Sequence, residues 1–367
     1  MAIRHFTRVL ICILVLCALI ASFFFFRFVL DPVRIGVILP VDTSLGNEIN
    51  LFVRYYQGTG YKHGLRPVKF IIKNPPSDRD AVLEAYSLLD ELGVSLIIGG
   101  VLSKDGSWLA EAAKESGIPT FGVTASSAAL SGMDDNFFRL CPSNDAQAKA
   151  VALTYKKKNC EKLMLVTSES NAAYVEPYVA MLERHFPGTI LQLPFITTEE
   201  LSRGIDRFKP DGLFNILPAK DLIQVINLIR ERGDTFIVGS ASWGSTEILS
   251  LYSGPALDGV LFFLLGLDEL TGSYKAEISS FEERYRMTAT NGTFYAVSIM
   301  HIIREAVLAV GPSRAALKTW LATPRTYTTA FGSLAMDEFG DSVTGKTLIM
   351  QTANGILRQV EYVEDSR

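Results

Sequence analysis

Two short segments concentrate the hydroxyl groups from which a binding site could be built. Ser95–Ser103 reads Ser-Leu-Ile-Ile-Gly-Gly-Val-Leu-Ser, and Ile118–Leu130 reads Ile-Pro-Thr-Phe-Gly-Val-Thr-Ala-Ser-Ser-Ala-Ala-Leu. In each, a short apolar run breaks at Gly and delivers small hydroxyl residues to the next helix. The carboxyl ends of neighbouring strands in an open parallel sheet are where ligands bind. Ser and Thr there cap the following helix and leave other N–H groups free for an anion. Ser103, Thr124 and Ser126 are thus candidate donors to an anionic group. The competing reading is that both are ordinary capped loops.

Signals for catalysis are weak. The chain has no G-x-S-x-G elbow, no Walker loop and no G-x-G-x-x-G after its first strand. His5, His63, His185 and His301 stand far apart, none at metal-ligand spacing from a Cys, His or carboxylate. Asp134-Asp135 reads as a solvated turn. Asn291-Gly292-Thr293 is a formal glycosylation sequon, with Thr293 read as a helix cap. The chemistry is that of a protein that binds without converting, and it calls for no cofactor or metal.

The elements that must position these residues follow an alternating pattern. Strands at 33–39, 68–73, 96–98 and 120–123 alternate with helices near 48–57, 78–92 and 106–116. A second series follows the segment 137–145, with strands at 163–167, 189–193, 213–216, 236–239 and 260–264 between helices. Such alternation means βαβ units and parallel sheets covered on both faces. The remainder is less regular, with helices near 276–287, 293–310 and 313–321 and β-type segments at 347–352 and 356–360. The reading is α/β, two doubly wound lobes in series.

At 367 residues the chain is long enough for two lobes, and 48% hydrophobic content permits large cores. A net charge of −4 without a long basic block excludes a nucleic-acid surface. The start of the chain differs. Arg4, His5 and Arg8 precede an unbroken apolar run from Val9 to Phe26. Eighteen helical residues span about 27 Å, close to the roughly 30 Å of a bilayer core. No small-x-small cleavage site follows, so an uncleaved anchor is preferred to a signal peptide. The basic residues place the amino terminus in the cytoplasm and the body outside, in the periplasm or beyond the cell. Either way the body is exported. Cys141 and Cys160 are the pair in the exported part; they could form a disulfide, but their spacing resembles no metal site or redox motif, and two free, half-buried thiols is the preferred reading.

The ordered succession Gly117-Ile118-Pro119, Thr124-Ala125-Ser126-Ser127-Ala128-Ala129-Leu130, Asn136-Phe137-Phe138-Arg139 and Pro142-Ser143-Asn144-Asp145-Ala146-Gln147-Ala148 resembles the type I periplasmic binding proteins. The match is to the leucine/isoleucine/valine-binding branch, and related amino-acid-binding receptor ectodomains share it. The resemblance runs from about Ile35 to Val360. It implies two Rossmann-like lobes joined by three crossings of the chain, with a ligand in the cleft between them. On that wiring, residues 1–31 are a cytoplasmic stub and membrane anchor or signal. Residues 33–140 with 267–321 form lobe 1, and 146–264 with 331–362 form lobe 2.

The resemblance also implies roles. Ser103, Thr124, Ala125 and Ser126 match the positions that grip a ligand carboxylate. Tyr174 looks like the second-lobe tyrosine that closes over the ligand, although Val175 stands where Gly is usual. The family's amino-acid binders carry an acid in a late second-lobe loop to meet the α-ammonium. This chain reads Gly239-Ser240-Ala241-Ser242-Trp243, with Ala241 in place of the acid. A buried ammonium without a counter-charge is costly, so an ordinary α-amino acid is disfavoured unless Glu169 substitutes. Trp243 either faces the cleft, suiting an apolar or aromatic ligand, or simply packs.

The implied function is an extracytoplasmic solute-binding protein of an ABC importer, not an enzyme. It would take a small carboxylate-bearing, amino-acid-like or amide ligand and present it to ABC permease subunits, with a membrane partner for its N-terminal helix and no nucleic acid. The alternatives are a sensor reporting to a receptor, an exported enzyme, and a degenerate member that binds a protein.

Overall fold

A computed structural model of the chain describes residues 2–25, 32–40, 42–64, 66–245, 255–265, 272–343, 345–354 and 356–365. Helix α1 (Ala2–Phe25) takes in the apolar run as far as Phe25, and the side chains of residues 11–23 stand in the open: Leu14 is 61% and Leu19 63% exposed.

The first series contains β1 (Val33–Ile38), α2 (Ser44–Gly58), β2 (Lys62–His63), β3 (Arg66–Lys73), α3 (Arg79–Glu91), β4 (Leu96–Gly99), α4 (Ser103–Ser116), β5 (Thr120–Gly122) and β6 (Phe137–Arg139). Strands β1 and β4 are buried almost throughout, as a sheet covered on both faces demands. Helix α3 shows how the covering helices are specified. Asp78 caps it by accepting from the N–H groups of Asp80 and Ala81, and Val82, Ala85, Tyr86 and Leu89 form its buried stripe.

The second series contains α5 (Asn144–Lys157), β7 (Lys162–Thr167), α6 (Ala172–His185), β8 (Thr189–Pro194), α7 (Thr198–Phe208), β9 (Gly212–Ile216), α8 (Ala219–Arg232), β10 (Ile237–Ser240) and β11 (Leu261–Leu265). The tail adds α9 (Gly272–Tyr285), α10 (Asn291–Val310), α11 (Arg314–Leu321), β12 (Arg325–Thr329), β13 (Gly332–Met336), β14 (Gly345–Ala353) and β15 (Ile356–Asp365).

The sheets run β2-β3-β1-β4-β5-β6 and β15-β14-β11-β10-β9-β7-β8. Each contains five parallel strands in the order 2-1-3-4-5 of its own series. The chain reverses direction across the sheet between the first and third strands of a series, where α/β sheets bind ligands. Neither sheet is purely parallel, as the sequence reading had it. Strand β2 is antiparallel to β3, and β14 and β15 extend the second sheet antiparallel beyond β11.

The tail is divided between the two cores. Phe281 of α9, much of α10, Leu317 and Leu321 of α11, and Tyr327, Leu334 and Met336 of the β12–β13 hairpin share a core with Val33, Val37, Ile98 and Phe121. Ile349 of β14 instead joins Leu165, Tyr178, Phe214 and Phe263. Residues 331–336, grouped by sequence with lobe 2, therefore pack against the first sheet. Residues 267–271, grouped with lobe 1, lie outside the described residues.

Three local expectations are corrected. Thr290, not Thr293, caps α10; Thr293 lies in its first turn and donates to Glu48 at 2.5 Å. Asp134 is exposed but Asp135 is buried, accepting from the Phe137 N–H at 3.0 Å. Cys141 and Cys160 are free, yet fully rather than half buried, and burial pushes both thiols up to about 12.

Candidate functional site

The two hydroxyl-rich loops are stitched side by side at the carboxyl ends of β4 and β5. The Gly100 carbonyl accepts from the N–H groups of Thr124 and Ala125, at 3.2 and 3.1 Å, and the Thr124 hydroxyl donates to Val101 O at 2.7 Å. Gly100 has φ of 68°, a left-handed turn that favours Gly. Ala125 is fully buried against Gly106 of α4, where an added Cβ would come within 2.6 Å of the Ala125 methyl. Thr124 and Ala125 thus shape the loop, and their N–H groups are engaged within the protein.

Ser103 and Ser126 differ. Ser103, 3% exposed, is the first residue of α4 and does not cap it; the N-cap position is Leu102, whose N–H goes to Asp105. The Ser103 Oγ accepts from the Ser127 N–H at 3.2 Å. A hydroxyl has one donor and two acceptor sites, so its proton remains available. Ser126, 7% exposed, presents a hydroxyl with no protein partner among the described residues. Ser127 caps the short 3-10 turn Ala128–Leu130, accepting from the Ala129 N–H.

A buried arginine holds this loop from behind. Arg139, 1% exposed, donates from Nη1 to the carbonyls of Ala125 and Ser127, at 3.3 and 2.9 Å, and from Nη2 to Ser131. Its Nε and Nη2 both reach Asp341 Oδ1, at 2.9 and 2.5 Å, and Asp341 Oδ2 accepts from the Gly132 N–H. All five guanidinium donors are satisfied, which a residue buried with a charge requires.

The second lobe meets the first through residues that the sequence reading did not single out. Asn171, just ahead of α6, accepts the Lys104 N–H through its side-chain oxygen at 3.2 Å. It therefore occupies one of the free N–H groups at the start of α4. Asn144 accepts from the Ala128 N–H at 2.9 Å and donates to the Tyr174 carbonyl at 3.3 Å. Within the second lobe, Gln147 donates to Phe263 O and accepts from the Tyr178 hydroxyl, joining α5, α6 and β11. Asn144 and Gln147 lie inside the quoted Pro142–Ala148 motif; Asn171 carried no signal beyond its place next to Tyr174.

Tyr174 is 4% exposed and packs edge-to-face on Trp243, ring centres 5.8 Å apart. Its hydroxyl is buried without a hydrogen bond, with Ser242 beside it, and burial raises its pKa. Trp243 is partly buried against the second core. Ala241 is not an empty place in a polar pocket. It is fully buried, its N–H engaged by Asn215 O at 2.9 Å and its carbonyl by the Ser245 hydroxyl at 2.6 Å. The structure thus places Ser103, Thr124, Ala125 and Ser126 on two adjoining loops of the first sheet, and packs Tyr174 on Trp243 against the second core. It withdraws Ala241 into the core. Among the described residues no group of His, Cys, Asp and Glu is arranged for a metal ion.

A family model described as periplasmic binding protein matches residues 32–355. No curated protein sequence matches the chain. Among solved structures, a leucine-binding protein from Thermotoga maritima is 18% identical with a TM-score of 0.78, covering 90% of this chain and 98% of its own. A solute-binding protein of an ABC transporter from R. palustris, in complex with benzoate, is 19% identical with a TM-score of 0.76, covering 90% and 96%. A branched-chain amino acid transporter substrate-binding protein from Streptococcus pneumoniae, in complex with isoleucine, is 16% identical with a TM-score of 0.77, covering 91% and 100%.

Proposed function

The chain belongs to the periplasmic binding protein family, with the type I fold of its leucine-binding branch, a family that binds rather than catalyses; from that premise we propose that it is the membrane-anchored solute-binding component of an ABC importer. Its ligand is a small carboxylate whose remainder is uncharged, and the permease receives the closed form. One observation carries the ligand class. The wall formed by Ser103 and Ser126 offers unengaged donors, while the place of an ammonium-pairing acid is a core alanine. The Tyr174–Trp243 ring pair suits an apolar or aromatic remainder, with the buried Tyr174 hydroxyl beside Ser242. The neighbours in complex with benzoate and with isoleucine both hold a carboxylate. The lobes are residues 33–140 with the α9–α11 and β12–β13 segments, and 146–264 with β14 and β15. The ligand drives closure only through its preference for the closed state.

The exposed apolar α1 supports an anchor retained in the membrane. Alkaline carbonate extraction of membranes, with the mass of the mature amino terminus, tests it. A soluble, shortened chain would rule the anchor out.

A thermal-shift screen on the full chain in detergent, using benzoate, isoleucine and acetamide, tests the ligand class. Saturating benzoate is expected to raise the melting temperature by a few degrees, as binding to the folded state alone requires. Isoleucine binding in its place overturns the uncharged remainder. The double variant Ser103→Ala, Ser126→Ala should lose the shift.

One observation favours a second reading. Asn171 already fills an N–H at the start of α4, and a cleft closed by its own side chain needs no small molecule. On that reading the protein serves a protein partner, and no carboxylate shifts the melting.

A further inference from the structure

The cleft lies at the carboxyl ends of the strands, but the anchor joins the body at the other end. Seven residues separate Phe25, the last of α1, from Val33, the first of β1. Fully extended, they span at most about 25 Å. The amino-terminal end of β1 is therefore held close to the membrane in which α1 sits, whatever path those residues take.

That pole of the first lobe carries exposed apolar side chains from elements far apart in sequence. Leu92, just past α3, is 49% exposed; Leu308 and Val310, at the end of α10, are 55% and 39% exposed. Their place beside the start of β1 follows from contacts. The Ser95 N–H donates to Arg34 O at 2.8 Å, joining the starts of β4 and β1. Arg314 donates to Val94 O at 2.8 Å and to the Asp90 carboxylate at 2.6 Å, fixing the residues after Val310 against the end of α3. Leu308 lies against Gly64, in the turn between β2 and β3. Lys62 and Arg66 flank that turn, and the Arg34 guanidinium stands near Gly93. Glu91 is an exposed acid beside Leu92. Exposed apolar residues with basic neighbours are the composition of a surface that seats in the headgroup region.

Taking the retained anchor as its premise, we propose that this pole of the first lobe is a lipid-contact surface. Leu92, Leu308 and Val310 enter the outer headgroup region of the bilayer holding α1, with Arg34, Lys62 and Arg66 toward phosphates. In this resting pose the cleft opens along the membrane, so delivery to a permease requires the body to lift off this surface.

The test uses the full chain in nanodiscs of phosphatidylcholine and phosphatidylglycerol. Cys12→Ser and Cys17→Ser remove the accessible thiols, and single Leu308→Cys, Leu92→Cys and Ile196→Cys variants carry an environment-sensitive fluorophore. Ile196, 71% exposed on the second lobe, is the control. Lipids bearing a headgroup nitroxide should quench positions 308 and 92 several-fold more than 196. Equal quenching at all three positions, or none while α1 stays in the disc, overturns the proposal. Protection from aqueous iodide that grows with protein density, without lipid quenching, assigns the face to a second copy and also overturns it. Failure of the anchor itself shows earlier and separately, as protein that elutes without lipid.

Discussion

Arg139 and Asp341, 202 positions apart in the chain, form a buried two-point ion pair from which the candidate ligand loop hangs. The guanidinium also grips the carbonyls of Ala125 and Ser127. The placement of Ser126 between those residues thus depends on a contact made by a distant part of the chain.

Removing one partner should be costly. Arg139→Ala leaves Asp341 buried and unpaired, and is expected to destabilise by about 3–5 kcal/mol in denaturant unfolding. Arg139→Lys keeps the charge but not the five-donor fork, so it should lie between wild type and Ala while still weakening ligand binding. If Lys matches wild type in both, the fork is irrelevant to the loop.

Asn171→Ala removes the cross-lobe cap on Lys104 and leaves the Tyr174 and Asn144 contacts in place. Loss of such a cap amounts to about 1 kcal/mol, a roughly fivefold shift toward the open form. Small-angle scattering of the ligand-free chain should show a larger radius of gyration for the variant. An unchanged profile would remove Asn171 from the closing mechanism.

Restoring the acid at Ala241 should not restore an ammonium site. Ala241→Asp places a carboxylate in the core of the second sheet, where neither neighbouring backbone group is free. A loss of about 3–5 kcal/mol is expected, with no isoleucine binding gained. Ala241→Asp that folds normally and binds isoleucine would show that the loop still adapts.

Asp135 gives a pH dependence with a definite sign. Burial raises its pKa to about 6, and the nearby Asp341 charge pushes in the same direction, against about 3.9 for an unfolded chain. The folded state binds that proton more tightly, so its contribution is present below pH 4 and lost as pH rises through 6. Asp135→Asn keeps an acceptor for Phe137 N–H and stays neutral. It should melt a few degrees above wild type at pH 7.5, with the gap closing by pH 4. Parallel melting curves across that range would refute the assignment.

Much of the scaffold was legible because hydrophobic periodicity is local. The runs read as strands at 33–39, 96–98 and 163–167 formed Val33–Ile38, Leu96–Gly99 and Lys162–Thr167, and the stripe of α3 read as a helix. Strand β6 escaped because Phe137–Arg139 follows β5 with only a short turn of helix between them, outside the regular strand–helix alternation. The β12–β13 hairpin escaped because Ala330-Phe331 at its turn lacks an Asn-Gly signal. In the site, the hydroxyls of Ser103 and Ser126 were visible as residue types. That the Ser103 hydroxyl already accepts from Ser127 and the Thr124 hydroxyl already donates to Val101 was not, because those partners approach only in the fold. Asn171 was invisible for the same reason: its partner belongs to the other lobe.

The division of the tail between the cores has a consequence for biogenesis. The first sheet lacks much of its hydrophobic cover until α10, α11 and the 325–336 hairpin exist, and the second sheet lacks β14 and β15 until residues 345–365 exist. A nascent chain emerging from the ribosome therefore cannot complete either half early. Contacts of such long sequence separation form slowly, which keeps the polypeptide threadable for translocation while exposing unpaired strand edges to aggregation. Truncated chains ending near residue 320 should behave as chaperone clients rather than as a folded half-molecule.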